Sequence, residues 1–82
     1  MKHAREDYNR IQDPAGLIPA DEPVFLLRGQ DKHAAATVRA WANAAAGAGG
    51  DPQMILLALE HADLMDAWPA KKRPDLAETA HD

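Results

Sequence analysis

The chain has 82 residues, a formal net charge of -4 and no cysteine. A length this short holds a single hydrophobic core. The missing thiols exclude thiolate catalysis, cysteine-ligated zinc or iron–sulfur centres and any disulfide staple.

Of the 38 hydrophobic residues 18 are alanine, so only 20 larger apolar or aromatic side chains, Met1 included, are available to fill a core. A chain of this size buries only about 60% of its unfolded surface and usually draws its margin from a disulfide, a metal or a partner. The longest uninterrupted apolar run, Met54 to Leu59, falls far short of a membrane span, and residues 1–10 lack the apolar stretch of a secretory leader. A cytoplasmic protein without a membrane segment is expected.

Residues 1–22 read as a turn-rich arm. Asp13-Pro14-Ala15-Gly16 has proline preset at the second position of a β-turn and glycine at the fourth. The flanking stretches, Tyr8 to Gln12 and Leu17 to Ile18, are candidates for a short hairpin whose length is limited by prolines 14, 19 and 23. Residues 23–28, Pro-Val-Phe-Leu-Leu-Arg, combine β-branched and aromatic side chains and end at Gly29. They predict one short strand or extended segment, with a single helical turn as the alternative.

A first helix is expected over 31–46, with Asp31 as N-cap and Ala34, Val38, Trp41, Ala42 and Ala45 on its packing face. That face is mostly methyl groups, so a second helix can approach closely, with Trp41 supplying most of the buried area. Lys32, Ala36, Arg39 and Asn43 occupy the other side. Gly47-Ala48-Gly49-Gly50 breaks the helix, and Asp51-Pro52 opens another with aspartate as cap and proline at the first position, where its missing N–H costs nothing.

The second helix should run over 52–67 and stop before Pro69, because the residue preceding a proline is driven out of the helical region. Its stripe is Ile55, Ala58, Leu59, Ala62 and Met65, with Glu60, His61, Asp63 and Asp66 on the polar side. Met54, Leu56 and Leu57 add bulk elsewhere around the circumference. Residues 70–82 read as a polar tail. The fold class is mainly α: an antiparallel helical hairpin over 23–69 with a turn-rich N-terminal arm, without repeats or a sustained heptad pattern.

Chemistry is sparse. Of the histidines at 3, 33, 61 and 81, two lie near the termini and the other two have no ligand-type partner at helical spacing, so neither a metal nor another cofactor is expected. No nucleophile elbow, phosphate loop, dinucleotide fingerprint or zinc-protease motif occurs. The glycine loop at 47–50 leads into a helix N-terminus, but Asp51 occupies that end and no lysine follows, so it reads as a linker. Asp21 and Glu22, between two prolines, read as a solvated turn.

About twenty sizeable apolar side chains cannot both fill a core and wall a pocket, which argues against an enzyme. A pI near 5.4 and a second helix without lysine or arginine argue against direct nucleic-acid binding. The basic cluster Lys71, Lys72 and Arg73 reads as part of the solvated tail.

Interaction with itself or another protein remains. Arg28, Gln30, Asp31, Arg39 and Trp41 form a candidate patch of the residue types enriched in hot spots. Met54, Leu56 and Leu57 are the candidate self-association surface, since a second copy would relieve the thin core. Asp63 and Asp66 supply an acidic face for a different partner.

The run from Ile18 to Asp31, with Thr37 to Ala42 and His61 to Pro69, resembles short bacterial and phage or prophage proteins of unknown function. The likeness spans most of residues 8–75. It implies a phage accessory protein, and among such proteins are acidic inhibitors that occlude a host enzyme or defence complex. No catalytic residue is carried over with it.

Overall fold

The computed structural model describes residues 1–8 and 13–73, which fall into two compact units dividing between Leu26 and Leu27. In the first, β1 (Lys2–His3) pairs in parallel with β2 (Pro23–Val24), Lys2 opposite Pro23 and His3 opposite Val24. The Lys2 N–H donates to the Glu22 carbonyl at 2.8 Å. A two-stranded sheet leaves each strand an open edge, so the missing N–H of Pro23 is tolerated. A 3-10 turn over Glu6–Tyr8 brings the Tyr8 ring edge-on to buried His3, while the Arg5 guanidinium lies 4.7 Å over the Tyr8 ring.

The expected turn at Asp13 to Gly16 forms: the Gly16 N–H donates to the Asp13 carbonyl at 2.9 Å with Gly16 at φ 63°. The hairpin expected around it falls mostly on residues 9–12, outside those described. The Asp13 carboxylate accepts the Ile18 N–H at 2.8 Å, and Leu17 stands exposed. Tyr8 belongs to the 3-10 turn. The strand of the arm pairs with the start of the chain, and it is shorter than 23–28, covering only Pro23 and Val24.

The second unit is the hairpin. Helix α1 spans Ala34–Gly47 and α2 spans Pro52–Ala67, packed antiparallel. Asp31 is not the N-cap of α1: its carboxylate accepts the His33 N–H at 2.8 Å, closing a turn ahead of the helix, and His33 takes the cap position without a side-chain bond. The reason lies alongside. Asp31 pairs with Lys72 in a short parallel bridge, the Lys32 N–H donating to the Lys72 carbonyl at 3.1 Å and the Lys72 N–H to the Gln30 carbonyl at 2.7 Å. That pairing holds residues 30–32 extended or turned and delays the helix.

At its other end α1 closes as a Schellman motif. The Gly50 N–H donates to the Ala45 carbonyl at 2.8 Å and the Gly49 N–H to the Ala46 carbonyl at 3.2 Å, with Gly49 left-handed at φ 78°. Gly47, expected to break the helix, is its last residue. Helix α2 begins as expected, the Asp51 carboxylate accepting the Gln53 N–H at 3.0 Å with Pro52 in the first turn. It ends at Trp68, whose extended backbone precedes Pro69.

The core is made of small side chains: Ala34, Ala35, Ala62 and Met65, with Leu27 and Val38 packed against them. Among the described residues no large side chain is completely buried. Alanines let the two backbones approach closely, but each methyl removes little apolar surface from water, and burial stabilises by about 25 cal/mol per Å². Trp41 does not supply the buried area expected of it and remains 52% exposed. With about 100° per residue, the midline of the face defined by Ala34, Ala35, Val38 and Ala42 lies about 80° from Trp41, which falls at its edge.

The start of the expected tail is also docked. Besides the Lys72 bridge, the Lys71 ammonium donates to the carbonyls of Gly29 and Met65, the latter also accepting the Trp68 N–H at the end of α2. Lysine at that place also complements the negative end of the helix dipole. Arg73 is exposed, and the remaining residues, 74–82, lie outside those described.

Candidate interaction surface

The hairpin has two unlike sides, set by helical phase. On one side Arg39 of α1 bridges to α2, with its guanidinium 2.9 Å from the Asp63 carboxylate and 2.8 Å from that of Asp66. Asp63 and Asp66 are three residues apart on α2 and so share a face. The hydrogen bond that Arg39 donates to Asp63, then that to Asp66, raises the Arg39 pKa above its ordinary value. The two carboxylates of the expected acidic face are therefore exposed but already paired within the chain.

The other side is apolar. Met54, Leu57 and Leu64 of α2 and Trp68 at its C-cap are 51, 53, 66 and 55% exposed, and with His61 between them they recur at intervals of three and four residues. That spacing draws one continuous stripe along the helix, about 120° around it from the Ile55, Ala58, Leu59, Ala62 and Met65 stripe that faces α1. Helix α2 is thus apolar on two faces and has a covering for one. In an antiparallel pair the flank of α1 opposite Arg39 emerges on the stripe's side. Trp41, two residues and about 200° from Arg39, belongs to that flank.

At the C-terminal end of the stripe His61, Leu64, Met65 and Trp68 meet Arg28, Gly29 and Gln30 around an open groove of about 340 Å³. Gly29 permits the close approach: a Cβ there would lie 3.3 Å from that of Trp68. The groove joins an apolar wall to the polar groups of Arg28 and Gln30 at its rim, the composition of a recognition surface rather than of a closed reaction chamber.

The patch expected from Arg28, Gln30, Asp31, Arg39 and Trp41 is therefore not one surface. Arg28 and Gln30 line the groove, Asp31 is engaged in its turn, and Arg39 is committed to the carboxylates on the far flank from Trp41. The trio Met54, Leu56 and Leu57 also divides. Met54 and Leu57 belong to the stripe, while Leu56, about 100° from Leu57, is 55% exposed on the polar side.

Leu64, His61 and Trp68 were missing from the sequence-based candidates. Their signal was present in the spacing 54, 57, 61, 64, 68, but His61 placed in a polar face interrupts the stripe when hydropathy alone is read. Compared with known proteins, the chain matches no family model, no curated protein and no solved structure.

Proposed function

We propose that the protein is a small noncatalytic interaction module whose α2 stripe, bordered by Trp41 and the groove, binds another polypeptide chain. One observation carries this reading: three large apolar side chains of a 16-residue helix and the tryptophan that caps it are more than half exposed along a single stripe, while a separate stripe of the same helix already faces α1. Contiguous exposed apolar surface of this kind marks interaction sites in soluble proteins. The setting that goes with it is the bacterial or phage-infected cytoplasm, as a phage accessory protein. An inhibitor acting through an acidic face draws less support, because Arg39 already compensates Asp63 and Asp66.

Site-specific photo-crosslinking in cells tests the proposal. A photoreactive residue at Leu57 or Leu64 is expected to give discrete protein adducts, and one at Leu56 or Asp63 to give none. Equal labelling at all four positions, or none at Leu57 and Leu64, would remove the interaction reading.

A further inference from the structure

We infer that the occupant of the stripe is a second copy of this chain, α2 packing on α2 across a two-fold axis near His61. The inference rests on the interaction reading above and names its partner. Three observations favour self-pairing.

The first is register. Positions 54, 57, 61, 64 and 68 follow the alternation of three and four residues that forms the seam between paired helices. About two such heptads suffice when each helix is already braced by α1. A two-fold axis near His61 in antiparallel pairing sets Leu57 level with the partner's Leu64 and Met54 level with the partner's Trp68. Every large apolar group of the stripe then meets another, and the helix dipoles run head to tail.

The second is charge. Along the flank of the stripe away from α1 stand Gln53, Glu60 and Ala67, with Glu60 the only charged group. The acidic pair Asp63 and Asp66 lies on the other side against Arg39. A net charge of -4 is therefore no strong barrier to bringing these two faces together.

The third is area. Trp41 and Trp68, each about half exposed, offer roughly 200 Å² between them. Met54, Leu57 and Leu64 add roughly 150 Å² at the area implied by transfer energies. With apolar atoms making up about 60% of an interface, this corresponds to roughly 600 Å² per chain, or about 1,200 Å² in all. That lies at the small end of specific interfaces, and a dissociation constant on the order of 10 μM is expected.

The test is sedimentation velocity of the full-length protein from about 1 μM to about 1 mM, a range that brackets such a constant. The expected result is a monomer–dimer equilibrium, and loss of the dimer at every concentration in the Leu57→Glu, Leu64→Glu double variant with its helical circular dichroism retained. Because the chain has no cysteine, a second probe does not depend on that variant folding. Oxidised His61→Cys is expected to form a covalent dimer, and Leu56→Cys, on the other side of α2, to stay monomeric.

A wild-type protein monomeric throughout and no His61→Cys dimer would overturn self-pairing. Heterologous photo-adducts at Leu57 and Leu64 would in that case leave the interaction module standing with a foreign partner, whereas their absence would remove both. A dimer that survives the double glutamate variant would place the contact elsewhere and also overturn the inference.

Discussion

Three glycines within four residues of the interhelical loop have three different reasons to be there. Gly47 is helical, and a Cβ added to it would meet nothing within 4 Å. Gly49 holds φ 78°, the left-handed conformation in which a Cβ costs roughly 1 kcal/mol. A Cβ on Gly50 would sit 2.9 Å from the Ala45 carbonyl oxygen, inside van der Waals contact and against backbone that cannot swing away. Urea unfolding of the alanine variants should therefore diverge in sign. Gly47→Ala is expected to stabilise by about 0.5 kcal/mol through the higher helix propensity of alanine, Gly49→Ala to destabilise by about 1 kcal/mol, and Gly50→Ala to destabilise as well. A uniform loss across all three would show that the loop is held by something other than the Schellman geometry. The sequence marks the loop by composition alone; which glycine does what depends on where α1 ends, and that is set by the bonds from Gly49 and Gly50.

At the scale of elements, α2 is the part most legible in the sequence, because Asp51, Pro52 and Pro69 act through local stereochemistry that needs no tertiary partner. The start of α1 was not legible, since the pairing of Asp31 with Lys72 is a contact between residues far apart in the chain. The parallel pairing of Lys2–His3 with Pro23–Val24 escapes sequence patterns for the same reason. These different origins give the two aspartates different weights. Replacing Asp51 by alanine removes the bond to Gln53 and is expected to cost about 1 kcal/mol. Asp31→Ala removes a turn bond ahead of the helix, and its thermal denaturation midpoint should fall less than that of Asp51→Ala.

Packing between the helices inverts the usual ranking by size. Ala62 is completely buried where the backbones approach, so Ala62→Leu should cost about 1–3 kcal/mol by overpacking. Trp41→Ala, at an exposed edge, should cost well under the 3–5 kcal/mol typical of a buried tryptophan in thermal or urea unfolding. The Arg39 bridge makes a further distinction. A raised arginine pKa in the folded state contributes stability that is fully present below the unfolded value and is lost only as pH rises through the folded one. The difference in stability between wild type and Arg39→Gln should thus stay flat from neutral to mildly alkaline pH, and should shrink in high salt because the pair is exposed.

At the scale of the whole molecule, a core of alanines and one methionine stands beside a stripe of larger side chains left in solvent. If the stripe is covered by a second copy, part of the stability of each chain is a property of concentration. For a dimer that unfolds to two separate chains, each hundredfold rise in protein concentration above the dissociation constant stabilises each chain by half of RT ln 100, about 1.4 kcal/mol. In a domain of this size that is a rise in Tm of roughly 5–10 °C. The Leu57→Glu, Leu64→Glu variant should melt at one temperature at every concentration, below the wild type at high concentration and level with it or slightly above at low concentration, where exposed leucines contribute nothing. A wild-type Tm independent of concentration across the same range would mean that the alanine core holds the hairpin alone, and that the stripe takes no part in its stability.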